Sequence, residues 1–320
     1  MGDRLLPAVL EKNHSRTLRK DGSNRTLALS DLPSYSSVLL LQGPVGPFFQ
    51  KLGDYWRKRG AKVYKVNFNG GDDWFYPPIN DEVIQFKTRM EYWPVYLSEL
   101  VIQKNIKAVF LFGDCRAIHQ PARELSEALG FDVIVFEEGY IRPSLYTMER
   151  FGVNYFSSLT HLSCQDIVNS MEAQSEPSIP KKYLGSYGQM VRSGIQYWLS
   201  SILNQSQYPD YDHHRSLDYK RGWMWTKNFL QYWRYRLTER GLRSHLLGYK
   251  ARTSDSDRMF LLPLQVHDDS QITTHSDFQS IKQVIELTLT SFAKHLKKSN
   301  CNDRLIIKHH PMDRGHVSYK

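Results

Sequence analysis

Only three cysteines occur in 320 residues, Cys115, Cys164 and Cys301, and they lie far apart, with no CxxC pair and no Cys/His zinc spacing. That excludes a disulfide framework and a structural zinc module, and it suits a reducing, cytosolic compartment. No apolar run approaches the roughly 18 residues of a membrane span, and residues 1–10 lack the apolar core of a secretory signal, so the chain is expected to stay inside the cell. Acidic residues are in the minority: 33 Asp and Glu face 42 Lys and Arg, a formal charge of +9. Such a balance favours an anionic partner, whether nucleic acid, a phospholipid surface or a phosphorylated substrate, and charge alone does not choose among them. With 41% hydrophobic residues the chain is globular, and its length suits two α/β lobes rather than one small core.

Residues 1–36 are polar without period and read as a flexible lead. From Ser37, short apolar runs alternate with amphipathic stretches. "SVLLLQG", "AKVYKVNFN", "AVFLFGD" and "FDVIVFEEG" read as strands. Helices fall between them at "FFQKLGDYWRKRG", at Tyr92 to Lys104 and at Pro121 to Leu129, the last ended by Gly130. Four such strands imply a parallel sheet covered on both faces, an N-terminal Rossmann-like lobe over residues 37–163. Ligands of such sheets bind outside the carboxyl ends of the strands, where the loops here are "QGPVGP", "NFNGGDDWFYP", "FGDCR" and "EEGYIRP". The first matches neither GxGxxG nor GxxxxGK[ST], and Pro44 and Pro47 remove two N–H donors. It reads as a rigid turn that brings the backbone of Gly43 and Gly46 close to a sugar, or equally as a stiff strand-to-helix turn with Pro47 at the first helical position. The second loop adds Asn69 as a candidate contact.

Residues 164–257 break this rhythm and read as a basic, aromatic helical insertion. Trp198, Trp223, Trp225 and Trp233 lie here, and residues 215–252 carry ten Lys or Arg against Asp218 and Glu239. Interleaved cations and aromatics suit an anionic membrane surface, and would suit nucleic acid. The same pattern fits an insertion whose aromatics pack on a lobe while its charges face water. From Met259 the alternation returns. "MFLLPLQV" is a strand with an irregular or edge position at Pro263, a helix follows with Ser276 as its expected N-cap, and "RLIIKHHP" is a second strand. Residues 258–320 thus begin a second Rossmann-like lobe. Domains do not normally end on the loop leaving their second strand, so a longer protein is expected. Two loops here are chemically dense. "QVHDDSQ" presents Gln265, Asp269, Ser270 and Gln271 to a polyhydroxy ligand, or forms an ordinary turn capped by Asp269 or Ser270. In "KHHP", adjacent strand side chains point to opposite faces, so His309 and His310 are not expected to share a metal.

Taken together, "LLLQGPVGPFF", "YKVNFNGGDDWFYP", "FEEGYIRP", the pattern of Gln265, Asp269, Ser270 and Gln271, and "KHHPMDRG" resemble the capsular polysaccharide biosynthesis and export family in its KpsS/LipB branch. The resemblance runs from about Ser37 to the end. It implies two Rossmann-like lobes in a GT-B-like arrangement, the second incomplete here. It also implies a retaining β-Kdo transferase that uses CMP-Kdo and a phosphatidylglycerol-type lipid, peripheral at the cytoplasmic face of the inner membrane. Related enzymes carry an Asp-Gly pair whose Asp is the nucleophile, which places Glu138 in that role, with Glu137 orienting loop backbone. His310 would stabilise the leaving phosphate, Pro311 fix the chain beside it, and Lys308 add charge. Arg142 would clasp the donor carboxylate or, equally, pair with Glu137. Gln265, Ser270 and Gln271 would be donor or acceptor contacts, with Asp269 a base for the incoming hydroxyl. The resemblance calls for no metal and no cofactor; its partners are the inner-membrane surface, the polymerising Kdo transferase and the capsule export machinery. The family's Ser/Thr-rich nucleotide segment has no counterpart after Lys320, so this chain is expected to bind CMP-Kdo poorly. A non-enzymatic assembly or export factor is the alternative class. A nucleic-acid-binding protein ranks behind both, for no motif of that kind occurs.

Overall fold

The computed structural model describes residues 29–139, 145–166, 168, 187–211, 213, 217–250, 258–313, 317 and 319. The chain divides after Leu217 into two compact units.

Unit 1 is organised by a six-stranded sheet of β1 (Ser37–Leu40), β2 (Lys62–Asn67), β3 (Val83–Gln85), β4 (Ala108–Phe112), β5 (Asp132–Glu138) and β6 (Tyr146–Arg150), in the spatial order β3-β2-β1-β4-β5-β6. The first five are parallel, and β6 runs antiparallel to β5. The four expected strands are all present, flanked by two that apolar runs do not announce. β3 has three residues, and β6 reads "YTMER", polar as a solvent-facing edge strand tends to be.

Between these strands lie α1 (Phe48–Lys58), α2 (Gly70–Phe75), α3 (Trp93–Gln103) and α4 (Gln120–Leu129). Successive strand residues face opposite sides. Val38, Leu40, Phe110 and Ile134 therefore enter one core, and Leu39, Val109, Leu111 and Val135 the other. Phe49, Leu52 and Trp56 of α1 close the first; Trp93 and Leu97 of α3 and Leu125 of α4 close the second. Gly130 ends α4 at φ +69°, a left-handed cap in which its N–H reaches the Ser126 carbonyl. The sheet winds outward from β1 to β3, then returns to place β4 on the other side of β1. The carboxyl ends of β1 and β4 are consequently the switch point at which doubly wound sheets hold their ligands.

The expected boundaries shift at two places. Leu32 and Tyr35, assigned to the lead, are buried in the first core, and the Tyr35 hydroxyl donates to Asp132 at 2.6 Å. The segment 164–257 is not one insertion. Its helix α5 (Tyr187–Leu203) packs on α2 within unit 1, whereas α6 (Tyr219–Thr238) and α7 (Leu242–Lys250) fall in unit 2. The α5 face that meets α2 presents Tyr197 and Ser201, a polar pair that a search for apolar periodicity passes over.

Unit 2 pairs β7 (Met259–Pro263) with β8 (Arg304–Lys308) in parallel, with α8 (Ser270–Thr273) and α9 (Ile281–Ser299) between them. Pro263 closes β7, a strand end that tolerates its missing N–H. Leu264, Ile281 and Ile285 form the core. The N-cap of α9 is Ser280, whose hydroxyl accepts from Gln283 N, not Ser276, whose hydroxyl donates to the Ile272 carbonyl at 2.7 Å. The Ser276 hydroxyl is thereby turned back toward α8.

Asp303, just before β8, ties this unit together. Its carboxylate lies 2.7 Å from His295 Nε2, accepts the Arg258 N–H at 2.7 Å and pairs with the Arg258 guanidinium at 3.4 Å. Cys301 adds a third ligand-type atom, so His295, Cys301 and Asp303 place theirs within 4.8 Å of one another, a grouping their spacing in sequence does not suggest. The hydrogen bond from His295, then that from Arg258 N–H, holds the Asp303 carboxyl at about 2, below its ordinary 3.8. A depressed carboxyl stabilises the fold above the unfolded value and loses that contribution as pH falls toward the folded one. Unit 2 is thus expected to weaken as pH drops from about 4 to about 2, with Asp303→Asn flattening that part of an acid-unfolding curve followed by circular dichroism.

Candidate functional site

The loops leaving β1, β2 and β4 meet in a polar network that the apolar pattern does not reveal. Gln42, 1% exposed, donates from Nε2 to the Tyr211 hydroxyl at 2.7 Å and to Asp72 at 3.1 Å, and its Oε1 accepts from Arg116 at 2.8 Å. Asp72 also accepts from Phe68 N–H and from the Tyr197 hydroxyl, both at 3.0 Å. Burial beside this carboxylate pushes the Tyr197 phenol well up, so it stays a donor. Asn69 caps α2 by accepting the Asp72 N–H at 2.9 Å, and its Nδ2 donates to Tyr197 at 2.8 Å. Expected as a ligand contact, Asn69 is buried with both ends of its amide bonded within the protein.

Lys65, Asp72 and Tyr76 line a small cleft together with Gly43, Pro44 and Gly46. Burial lowers the Lys65 ammonium to about 8, against the opposing pull of Asp72 and Asp73. The two loop glycines have local reasons to be glycine. A Cβ on Gly43 would stand 2.7 Å from the Phe49 ring, and Gly46 has φ +119°. Pro47 is the residue before α1 rather than its first. His119 pins the loop after β4, its Nδ1 lying 2.6 Å from the Gly113 carbonyl, and burial first, then the Arg116 charge, keeps its ring neutral.

At the end of β5, alternation separates the paired carboxylates. Glu137 continues the row of Val133 and Val135, whereas Glu138, in the row of Ile134 and Phe136, lies opposite Tyr146. Glu137 Oε1 accepts the Glu138 N–H at 3.0 Å. A Cβ on Gly113 would stand 3.7 Å from Glu137 Oε2 and 3.6 Å from Arg116 Nε, so both side chains approach the same point beside that glycine. Burial raises the Glu137 carboxyl above its ordinary value, partly offset by the Glu138 N–H and the Arg116 charge. Glu138 is exposed. Its neighbour Tyr146 stacks on Phe48, with centroids 4.3 Å apart, so Glu138 stands beside the start of α1. Arg142 lies outside the described residues. Arg116 is the crevice cation that the sequence reading missed; the short loop "FGDCR" directly after a central strand was its signal.

In unit 2 the two dense loops meet through residues not singled out beforehand. Asp313, fully buried, accepts the His267 N–H at 2.9 Å and lies 2.8 Å from His267 Nδ1. This joins the loop after β7 to the short helix Pro311–Asp313 after β8. Asp269 is the N-cap of α8 and accepts the Gln271 N–H at 2.9 Å, the capped turn that was one of its two readings. Ser270 and Gln271 open that helix, and Gln265 and Lys308 are exposed. His310 accepts the Met312 N–H on Nδ1 at 3.1 Å. A nitrogen that accepts carries no proton, so the neutral ring holds its N–H on Nε2. His309 packs its ring 5.2 Å from Tyr319, a separate surrounding from that of His310. Asp313→Ala would strip two hydrogen bonds from a buried anchor and is expected to cost about 2–4 kcal/mol of unit 2 stability, read from urea unfolding.

The geometry defines a class: an α/β protein with a doubly wound parallel sheet, a polar crevice at its switch point, and a second parallel βαβ unit whose strand-end loops carry His, Asp and carboxamides. The profile described as capsule polysaccharide biosynthesis protein matches residues 107–320. Capsule polysaccharide modification protein LipB of Neisseria meningitidis serogroup B is 35% identical over 292 residues, 90% of this chain and 67% of that protein. Capsule polysaccharide export protein KpsS of Escherichia coli is 33% identical over 302 residues, 92% of this chain and 72% of that one. Among solved structures, UDP-GlcNAc 2-epimerase from Methanocaldococcus jannaschii aligns at TM-score 0.28 and 13% identity over 86% of this chain and 66% of that chain, too slight a likeness to argue from. The chain belongs to the capsule polysaccharide biosynthesis protein family.

Proposed function

We propose that the protein is a retaining glycosyltransferase that moves β-Kdo from CMP-Kdo to a phosphatidylglycerol-type lipid at the inner face of the inner membrane, beginning the glycolipid that carries the capsule. The observation that carries this reading is the pair of carboxylates closing β5, one accepting a backbone N–H and one exposed at the strand end. Glu138 attacks the anomeric carbon of the sugar while the bond to the CMP phosphate breaks and the electron pair leaves with CMP. The acceptor hydroxyl then displaces Glu138, losing its proton to a base, and two inversions give net retention. Glu137 fixes the backbone of its neighbour and Arg116 supplies positive charge to the crevice. In the unit 2 loops, His310 donates from Nε2 to the phosphate oxygen as negative charge grows there, with Lys308 adding charge and Pro311 directing the turn. Gln265, Ser270 and Gln271 supply sugar or nucleotide contacts. Asp269, tied to the Gln271 N–H, keeps a second carboxylate oxygen for the acceptor proton.

The test is incubation of the purified protein with CMP-Kdo and a fluorescent phosphatidylglycerol-type acceptor, with product and any sugar adduct on Glu138 read by mass spectrometry. A Kdo-lipid product supports the reading; a product without Kdo overturns it. The word "export" in the name of KpsS favours a second reading, a non-enzymatic assembly factor. That reading requires glycolipid synthesis to survive the loss of Glu138.

A further inference from the structure

Helix α6 turns its apolar side to solvent, contrary to what a helix on a soluble lobe does. Tyr219, Trp223, Leu230, Trp233 and Leu237 recur at helical spacing along one stripe, exposed by 76, 69, 61, 47 and 58%. Trp225, Phe229 and Tyr232, 39, 62 and 42% exposed, widen it into an apolar arc. Met224, Asn228, Gln231 and Tyr235 form the narrower, partly covered side, where Asn228 Nδ2 donates to the Met312 carbonyl at 3.0 Å. The exposed arc is therefore the outer surface of a helix whose inner side is already engaged within unit 2.

Charge identifies the occupant. Lys220, Lys227 and Arg234 recur every seven residues and so run as a row along one border of the arc. Arg236 stands among the rings of the arc itself, its guanidinium 5.5 Å from the centroid of the Trp233 ring and 3.2 Å from the Tyr232 hydroxyl. Aromatic rings flanked by long cationic side chains match a bilayer surface, in which rings settle at headgroup depth and cations reach lipid phosphates. A helix of 20 residues is about 30 Å long, and lying flat it offers the whole stripe at once. No described helix is long and apolar enough to cross a membrane.

We propose that the outer face of α6 is a docking surface for an anionic lipid bilayer, entered in the plane of the headgroups. That this surface serves the bilayer bearing the acceptor rests on the reading of function above; the binding itself does not. The experiment is flotation of the full chain with vesicles of phosphatidylcholine alone or mixed with phosphatidylglycerol, at low and moderate salt and without donor sugar. At least tenfold tighter binding to the phosphatidylglycerol vesicles is expected, weakening with salt. Trp223→Glu with Trp233→Glu is expected to lower it by tenfold or more. Lys220→Gln, Lys227→Gln and Arg234→Gln together are expected to erase the preference between the vesicles. If the double variant loses its circular dichroism spectrum, Leu230→Glu alone makes the same test. Equal or absent binding to both vesicles, or variants that bind as the parent does, would overturn the proposal. So would a parent that dimerises in sedimentation velocity and loses that dimer in the double variant, which assigns the face to a second copy. Transfer to a short-chain soluble acceptor is expected to be unchanged in every α6 variant, so failure of transfer and failure of docking are read separately.

Discussion

Glu138→Gln is expected to lower glycosyl transfer by about 10³-fold or more, with the unfolding midpoint unmoved. The size follows from the role. An amide has no anionic oxygen to form the bond to the anomeric carbon. The absence of a stability effect follows from the structure: Glu138 is exposed, and its pairing with Tyr146 in the antiparallel β5–β6 ladder does not depend on its side chain. Glu137→Gln is the matched comparison. Its amide oxygen can still accept the Glu138 N–H, so the backbone stays in place while the half-buried carboxylate, with its charge interaction with Arg116, is lost. A fall of tenfold or less is expected there. Steady-state turnover with CMP-Kdo, alongside intact-mass detection of a sugar adduct, separates the outcomes. A dead Glu137→Gln beside an active Glu138→Gln would exchange the two roles.

That the two carboxylates face opposite sides was legible in the sequence because strand alternation is a strict rule: two adjacent residues closing a β-strand point to opposite faces. The four central strands were legible through another signal, the continuous apolar runs that a sheet covered on both faces requires. It could not give β3 or β6, which are short or polar edge strands and bury too little to show an apolar signal. The candidate site divides in the same way. Glu137, Glu138 and His310 stand out as chemistry at strand ends, whereas Gln42, Arg116, Tyr197, His267 and Asp313 matter through partners distant in the chain, such as the 155 residues separating Gln42 from Tyr197. No local pattern encodes such a partner. Asp269 shows the converse, since its local pattern admitted both a ligand contact and a cap, and the structure supplies the cap.

The "NGG" stretch after β2 looks like a loop made to admit a ligand, and the packing of α5 gives it another purpose. The backbone of α5 runs so close to α2 that a Cβ on Gly70 would collide with the Ser200 carbonyl oxygen and lie 2.7 Å from Asn204 Cβ. A Cβ on Gly71 would lie 2.6 Å from the Tyr197 ring and 2.7 Å from Ser201 Oγ. The Ser200 carbonyl is backbone and Asn204 Cβ is fixed to it, so for Gly70 α5 as a whole must move. Moving it stretches the bonds from Asn69 and Asp72 to Tyr197 and from the Gly71 N–H to Ser201. Gly70→Ala is therefore expected to cost about 3 kcal/mol or more in urea unfolding, at the upper end of overpacking effects because buried polar groups lose partners as well. Gly194→Ala is the control within α5 itself. An added Cβ there meets nothing within 4 Å, and alanine suits a helix interior better than glycine by about 1 kcal/mol, so that substitution is expected to be neutral or stabilising. If Gly70→Ala proved harmless, α5 would not be a fixed part of unit 1, and the crevice would lose the wall that Tyr197 gives it. If it destabilises as expected, the two glycines are there for the approach of a helix, and the polar groups around Asp72 are what hold the switch-point loops in shape.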